Sequence, residues 1–368
     1  MGTSYRRLCA CYRRGVRCLS LSAVCVVSLS ISGCAVPYYL QAAAGHLDLL
    51  SRRVSIAEAL EDPAQSDETR AALARALEIR EYAVAALGLP DNDSYRSYVD
   101  LGRPFVVWNV VAAPEFSVDP VNWCFPIAGC VSYRGYFSEQ EAQGYAAQLR
   151  DHGYETYVAG VTAYSTLGYF SDPLLNTMLA GGDSFVAGII FHELAHQRVY
   201  IRGDTSLNEA FATAVSEYGT ERWLADAADA ERVSEYGARI DRREAFFNLI
   251  GHYQKRLRLI YAGQASDAEK RTLKLEVLRE LVSDYEEMKL SWGGAADYDN
   301  WFSQPLNNAQ LASVVAYSRW LTNLRAYLTM NGLEALYEEM NSLDALPDEQ
   351  REERLQSFLT AAPGAVAR

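Results

Sequence analysis

The sequence predicts an α+β fold that is mainly helical, with a small sheet packed on a pair of central helices and helical layers before and after them. Three observations lead to this prediction. Two stretches, 105–112 and 154–164, are rich in valine and aromatic residues or alternate in polarity, which favours strands. Residues 185–191 form an almost wholly apolar run that suits a buried helix. Beyond residue 205 the chain shows helical periodicity nearly throughout.

The first 33 residues have the pattern of a bacterial lipoprotein signal and are not expected to belong to the fold. Arginines without any acidic residue precede an apolar run, 19–31, that is too short to cross a bilayer. Residues 29–34, L-S-I-S-G-C, resemble a lipobox, so Cys34 is the expected lipidation site. An uncleaved membrane anchor is the alternative. Because Ala35 rather than Asp follows Cys34, the resemblance implies lipid anchoring to the outer membrane of a bacterial cell envelope, facing the periplasm.

The chain of 368 residues is acidic, with 47 Asp and Glu against 34 Lys and Arg and a net charge of −13. Because the signal carries arginines and no acid, the mature chain is more acidic still. Such a protein is a poor candidate for binding nucleic acid, whose phosphates require basic contacts. The length allows one large domain or two smaller ones with a sizeable core.

Only two of the seven cysteines, Cys124 and Cys130, remain once the signal and the lipidation site are set aside. In an exported, oxidising compartment, two cysteines six positions apart predict a local disulfide. A metal-binding pair is the alternative, but no further cysteine or nearby histidine supports it.

The elements before residue 185 alternate between helices and strands. Ser138 and Glu141 fit a capping box that opens a helix ending at His152-Gly153. A further strand is expected over residues 131–137. Two N-terminal helices are expected over residues 36–53 and 67–87.

The elements after residue 205 are predicted to be helices. They comprise one helix from Asn208 to Tyr218, a long antiparallel hairpin and a closing helix. The two arms of the hairpin are 230–262 and 266–290, joined at Gly263, and the closing helix covers residues 309–330.

Residues 191–197, F-H-E-L-A-H-Q, contain the pattern H-E-x-x-H. On a helix, residues four apart lie one turn above each other, so His192 and His196 can direct both imidazoles at one ion. Glu193 can reach a water bound to that ion. Catalytic zinc takes three protein ligands and leaves one position for water, so the pattern predicts one zinc per chain with Glu193 as general base. An ordinary helix with surface histidines is the alternative.

Glu209 is the predicted third ligand. It lies at the start of the next helical pattern, and Gly203 and Asp204 allow the chain to turn back before it. Two antiparallel helices would then face each other across the ion and complete a His-His-Glu site. Ser206 to Glu209 also fits a capping box, in which Glu209 would tie down the start of the helix. The two roles do not exclude each other.

The run H-E-L-A-H-Q at 192–197, followed by L-N-E-A-F-A at 207–212, resembles the zinc aminopeptidase pattern H-E-L-A-H-Q followed by L-N-E-G-F-A. The chain departs from that family in a shorter gap, in an alanine for the glycine, and in lacking a G-A-M-E-N motif. It resembles more closely a smaller family of bacterial lipoproteins described as predicted aminopeptidases. That resemblance also includes residues 45–50, 123–137 and 163–168, and it implies a gluzincin-like metallopeptidase in the cell envelope.

These patterns together predict a zinc-dependent peptidase, an aminopeptidase by resemblance, that acts on peptides and is held at the membrane by lipid. In the predicted mechanism His192, His196 and Glu209 bind zinc, and Glu193 takes a proton and delivers it to the leaving amine. Two other classes stay open. One is a zinc-bearing envelope adaptor without catalysis, and the other is a zinc amidase acting on cell-wall material.

Further residues are candidates for supporting roles. Glu217, two turns past the third ligand, could hold a ligand histidine or could be a solvated surface acid. Tyr317, Asn307 and Asn308 are candidate donors to the oxyanion, with a core tyrosine and an ordinary loop as the alternatives. The strand ending near Thr166 could be an edge strand to which a peptide adds, or it could simply lead into a loop.

The expected division of the chain follows from these features. It comprises the signal (1–33), an N-terminal helical layer (34–104), a zincin-like catalytic core (105–225) and a C-terminal helical region (226–368).

Overall fold

The computed structural model describes residues 36–125, 129–166, 170–314 and 319–360. The predicted signal, Cys34 and Tyr317 lie outside these residues. Within them the fold is α+β and mainly helical, as predicted, with short strands gathered into small sheets. The chain divides into two compact units, Met1–Ser51 and Arg52–Arg368, and the predicted segment boundaries stay predictions.

The elements are numbered here in chain order. The helices are α1 (Val36–Ser51), α2 (Ile56–Glu61), α3 (Asp67–Ala85), α4 (Glu139–Asp151), α5 (Asn176–Leu179), α6 (Asp183–Arg198), α7 (Thr205–Asp226), α8 (Ala230–Ala262), α9 (Asp267–Ser291), α10 (Asp299–Phe302), α11 (Asn308–Ala312), α12 (Leu321–Asn331), α13 (Leu333–Asp344) and α14 (Asp348–Thr360). The strands are β1 (Val54–Ser55), β2 (Ser97–Val99), β3 (Val107–Pro114), β4 (Trp123–Phe125), β5 (Gly129–Val131), β6 (Arg134–Tyr136), β7 (Tyr154–Val161) and β8 (Leu174–Leu175). None of the described helices combines the length and the apolar character needed to cross a membrane.

The sheet with the longest strands is antiparallel and centres on β3, with β6 on one side and β7 on the other. Trp108 of β3 lies opposite Tyr136 of β6 and Gly160 of β7. Strand β3 is buried along most of its length, which explains why its sequence is a nearly continuous apolar run rather than an alternation. The predicted strand 105–112 is therefore present, displaced by two residues.

The predicted strand 154–164 ends at Val161 in the structure. The chain leaves the sheet there, and the carbonyl of Thr162 accepts a hydrogen bond from the hydroxyl of Thr177 (2.6 Å). The predicted strand 131–137 is also shorter, and only its middle forms β6. A second sheet, in the order β1-β2-β8, was not predicted, because strands of two or three residues carry no readable periodicity.

Cys124 and Cys130 form the predicted disulfide. They lie directly opposite each other on β4 and β5, which make a two-stranded sheet. Residues 126–128, between the two strands, lie outside the described part of the chain.

Helices α6 and α7 pack closely and antiparallel. The hydroxyl of Ser216 on α7 donates to the carbonyl of Gly188 on α6 (2.8 Å). Gly219 allows the close approach, because a Cβ there would lie 2.9 Å from the ring of Phe191 and 2.6 Å from Leu87. Both helices bury residues on several sides, so neither shows a single apolar stripe.

The C-terminal helices agree with prediction in the hairpin and differ from it in the closing helix. Helix α8 has the predicted bounds, and Ser266 caps α9 in a capping box with Glu269. The predicted closing helix 309–330 consists instead of α11 and α12. The carbonyl of Leu311 near the end of α11 accepts from the side chain of Gln254 on α8 (2.7 Å) and from the N–H of Val314 (3.2 Å).

Gly219→Ala is expected to destabilise the protein, because the added methyl group would overlap Phe191 and Leu87 between packed helices. Overpacking of this kind costs about 1–3 kcal/mol in the free energy of unfolding. The matched control is Gly251→Ala on α8, where an added Cβ meets nothing within 4 Å. This control is expected to be neutral or stabilising by up to about 1 kcal/mol. Urea denaturation measures both variants, and equal effects would contradict the close packing of α6 and α7.

Candidate metal centre

Three side chains from α6 and α7 converge at one point. Nε2 of His192 lies 3.2 Å from Oε2 of Glu209 and 3.2 Å from Nε2 of His196. Nε2 of His196 lies 3.7 Å from Oε1 of Glu209. The donor atoms of all three residues lie within 4.8 Å of one another. The three predicted ligands are therefore close enough together to hold one metal ion.

These separations fit a metal ion of the size of zinc. Bonds of about 2.0–2.1 Å in a tetrahedral arrangement place neighbouring donor atoms about 3.3–3.4 Å apart. Two of the observed distances are 3.2 Å and the third is 3.7 Å. Nδ1 of His196 is buried without a hydrogen-bond partner among the described residues, so the contacts of this ring are made through Nε2.

The turn between the two helices positions Glu209. The carboxylate of Asp204 caps α7 by accepting a hydrogen bond from the N–H of Leu207 (3.1 Å). The predicted capping box from Ser206 to Glu209 is therefore wrong, since the helix begins at Thr205 and Glu209 lies in its second turn. The carboxylate of Glu209 points at the histidines instead of the start of the helix.

Asn208 stabilises the same turn between α6 and α7 with two hydrogen bonds from its buried side chain. Its side-chain amide donates to the carbonyl of Ile201 (2.7 Å), and its side-chain oxygen accepts from the N–H of Ile201 (2.8 Å). Asn208 is buried, so this pair of bonds has little competition from water. The position of Glu209, the next residue, follows from this anchor.

Burial and neighbouring charges set the protonation of the three residues. Burial, together with the charge on His192, lowers the pKa of His196 to about 4. Burial alone would also lower the pKa of His192, but the hydrogen bond with Glu209 and the charge of Glu193 raise it above its ordinary value of 6.5. Burial opposes the ionisation of Glu209, yet its bond with His192 lowers its pKa. A neutral His196 and an ionised Glu209 are the forms that bind metal ions.

Glu193 follows His192 on α6, and the two residues line one cleft, which is described below. Burial raises the pKa of its carboxyl group, and the charge of His192 and a hydrogen bond with Ser165 oppose this shift without cancelling it. A buried carboxyl group with a raised pKa is suited to accept a proton and pass it on.

That Tyr95 and Asp172 lie beside Glu193 was not predicted from the sequence. Tyr95 is buried, lies near the charge of Glu193 and has a positive φ of 63°. Its N–H donates to the carbonyl of Asp172 (2.7 Å). The carboxylate of Asp172 accepts from the hydroxyl of Ser165 (3.2 Å) and the N–H of Thr166 (2.9 Å). Three distant segments meet here, and the signals in the sequence are the segment 163–168 and Asp172, an acid that opens an apolar run.

The segment after β7 reaches the centre through Ser165, although the regular strand ends at Val161. Among the described strands, β7 pairs with β3 alone and forms an edge of its sheet. The addition of a peptide substrate to this edge stays a prediction.

Glu217 is buried, not a solvated surface acid. Its carboxylate is 11% exposed and bonds to the guanidinium groups of Arg243 on α8 and Arg325 on α12 (2.6 Å to Arg325). It makes no hydrogen bond to a histidine in the described part of the chain. Its negative charge still contributes to the raised pKa of His192, so Glu217 influences the protonation of this histidine electrostatically and without a hydrogen bond. A closer supporting role stays a prediction.

The asparagines predicted as oxyanion donors form hydrogen bonds within the fold. The side-chain amide of Asn307 donates to the carbonyl of Thr156 (3.2 Å), and that of Asn308 to the carbonyl of Glu115 (2.7 Å). Both amides therefore hold α11 to the strands and their connections, and neither is placed to donate to a substrate.

A cleft of about 420 Å³ opens beside His192 and Glu193. Its volume lies at the low end of the range of about 300–1,000 Å³ that is typical of small-molecule sites. The wall opposite α6 comes from α8 and from the residues just before α10. The side chains that give this wall its chemical character are Tyr236, Arg239, Arg243, Asp297 and Tyr298.

Comparison with known proteins identifies a family. A family model with the description "Putative aminopeptidase" matches residues 37–355, which include the metal cluster and the cleft. No curated protein and no solved structure matches the chain.

Metal binding is expected to weaken as the pH falls, because a metal ion must displace the proton from His192, whose pKa is raised above 6.5. Below that pKa, each pH unit costs about tenfold in apparent affinity for one competing proton. Competition with a chromophoric chelator between pH 6 and pH 8 measures the effect. In Glu209→Gln, which lacks the charge beside His192, the decline is expected to begin at lower pH. An affinity that is constant from pH 6 to pH 8 would contradict the raised pKa.

Proposed function

The chain belongs to the family described as "Putative aminopeptidase", and from this premise we propose that it is a zinc-dependent peptidase. The observation that carries the proposal is the convergence of His192, His196 and Glu209, with Glu193 on the same helix and in the same cleft. Two histidines from H-E-x-x-H and one further carboxylate make a donor set used by zinc peptidases.

His192, His196 and Glu209 would hold one zinc ion per chain. Three protein ligands leave a fourth coordination position, a property of catalytic rather than structural zinc sites. When bound, zinc supplies Lewis acidity that polarises the scissile carbonyl and lowers the pKa of water.

Glu193 is the proposed carrier of the proton. Its carboxylate takes a proton from the attacking water and delivers it to the nitrogen of the leaving amine, so that the peptide C–N bond can break. Its raised pKa brings its basicity closer to neutral pH, which suits both transfers. Ser165 bonds to it and the buried Tyr95 lies beside it, and these contacts support an orientation fixed before substrate arrives.

Tyr298 is the proposed donor to the carbonyl oxygen as negative charge develops there. It lines the cleft, and its ring stacks on Phe246 with the ring centroids 3.8 Å apart. Burial, its largest influence, raises the pKa of its hydroxyl to about 12, so the group stays protonated at neutral pH. A fixed donor in a partly dry cleft stabilises a developing charge more than water does.

We also propose that a lipid on Cys34 holds the protein at the periplasmic face of the outer membrane. The support is the arrangement of basic, apolar and L-S-I-S-G-C segments at the start of the sequence. Cys34→Ala is expected to abolish the lipid modification and the outer-membrane location. Mass spectrometry of the N-terminal peptide and density-gradient fractionation test this, with Cys25→Ala as the control. An unmodified N-terminus in the wild type would contradict the proposal.

Glu193→Gln is expected to keep the metal and to lose about 10²–10⁴-fold in kcat, because an amide cannot accept the proton. The measurements are turnover of a short-peptide library and metal content by mass spectrometry. Glu221→Gln, which removes an exposed acid from α7, is the matched control with unchanged activity. Turnover retained in Glu193→Gln would exclude the assigned role.

Zinc content and hydrolysis, measured on the wild type, distinguish a peptidase from the other two classes of function. About one zinc per chain without hydrolysis of any peptide would favour an envelope adaptor. Digestion of purified peptidoglycan, with peptides left intact, would favour a cell-wall amidase.

A further inference from the structure

The cleft beside the metal centre contains an arginine without an acidic partner. Arg239 on α8 lines this cleft together with His192 and Glu193 and is partly buried. Its guanidinium lies over the ring of Tyr236, 5.2 Å from the ring centroid. In the described part of the chain this cation–π contact is its one specific interaction, with no ion pair and no hydrogen bond.

The neighbouring charges of the same wall are compensated. Arg243 pairs with Glu217, whose second oxygen is bound by Arg325. Asp297 pairs with the Nε of Arg242 (2.6 Å). Among the described cleft residues, Arg239 is therefore the one cation that is still available to a ligand.

This distribution of charge favours binding of the C-terminal carboxylate of a peptide over binding of its N-terminal ammonium group. A guanidinium binds a carboxylate through two parallel hydrogen bonds, and it does so more strongly when partly shielded from water. Recognition of an α-ammonium would require an acidic acceptor in the cleft. The acids there are Glu193, which the proposed reaction uses, and Asp297, which Arg242 already occupies.

We propose that Arg239 binds the free α-carboxylate of a short peptide, so that the bond cleaved lies next to the C-terminal residue. The substrate class is then dipeptides and other short peptides with a free C-terminus. This inference rests on the proposed function and specifies its substrate, and the end specificity that it assigns differs from the one in the family's description. The cleft volume of about 420 Å³ agrees with a ligand of this size.

Binding to the inactive Glu193→Gln protein, loaded with zinc, tests the proposal without turnover. The probes are trialanine, its C-terminal amide and its N-acetyl derivative, and affinity is measured by calorimetry. The amide is expected to bind at least tenfold more weakly than the free acid, whereas N-acetylation is expected to change the affinity less than twofold. Equal binding of acid and amide would overturn the proposal, as would a loss of affinity on acetylation alone.

Two further substitutions, each combined with Glu193→Gln, assign the effect to Arg239. Arg239→Gln is expected to abolish the preference for the free acid. Arg256→Gln removes the same charge from the same helix, at an ion pair with Glu280 (2.7 Å), and is expected to keep the preference. Urea denaturation of both variants checks that they are folded. A preference that survives Arg239→Gln in folded protein would overturn the assignment.

A peptide that is blocked at both ends tests whether Arg239 binds an α-carboxylate or a side-chain carboxylate. N-acetyl-Ala-Glu-Ala-amide offers only a side-chain carboxylate and is expected to bind at least tenfold more weakly than trialanine. Binding as tight as that of trialanine would assign Arg239 to acidic side chains and overturn the end specificity.

Turnover by the wild type separates this inference from the proposed function. The expected binding preference without any hydrolysis would refute the peptidase and leave a carboxylate-binding site. Hydrolysis of the acid and the amide at equal kcat/KM would refute the carboxylate site and leave the peptidase.

Discussion

The contact between Glu209 and His192, across the antiparallel pair α6 and α7, is the interaction on which the site depends. Two histidines one turn apart on one helix can meet an ion from one side only. The third donor must come from another element held at a defined distance, and the direct packing of Gly219 on Phe191 supplies that distance. The carboxylate and the imidazole support each other, because the charge of each lowers the cost of burying the other.

Most of the charge buried near the centre is compensated within the protein. Glu209 faces two histidines, and Glu217 binds two arginines. Glu193 is an exception, and burial shifts its pKa upward. Arg239, whose partner is an aromatic ring, is another. A folded protein gains no stability from leaving such groups uncompensated, so they are the natural points at which a ligand would act.

The motif and the longest helices could be predicted from the sequence because their signals are local. The H-E-x-x-H spacing defines one helix face, and 33 residues of continuous helical pattern define α8. The N-terminus of α7 could not be resolved in this way, since Ser206 to Glu209 fits a local capping pattern, whereas the structure uses Asp204 as the N-cap.

The features that could not be predicted from the sequence share a different cause, which is contact between residues far apart in the chain. Gln254 bonds to the end of α11 from 57 positions away, and no window around residues 309–330 contains that information. The group around Tyr95 joins segments that carry no common pattern. In the sequence Arg239 is one of many charged residues on a long helix. Its candidacy as a ligand-binding residue depends on the cleft, which only the folded chain forms.

The ion pairs of Glu217 tie the helix that supplies Glu209 to a segment far along the chain. Arg325 lies more than ninety residues beyond the end of α7. Without Arg325 the carboxylate of Glu217 would lack one of its two cations, and an incompletely paired buried acid disfavours dry packing. A chain that ends before Arg325 would therefore carry the complete H-E-x-x-H motif while the helix that supplies Glu209 held an incompletely paired acid.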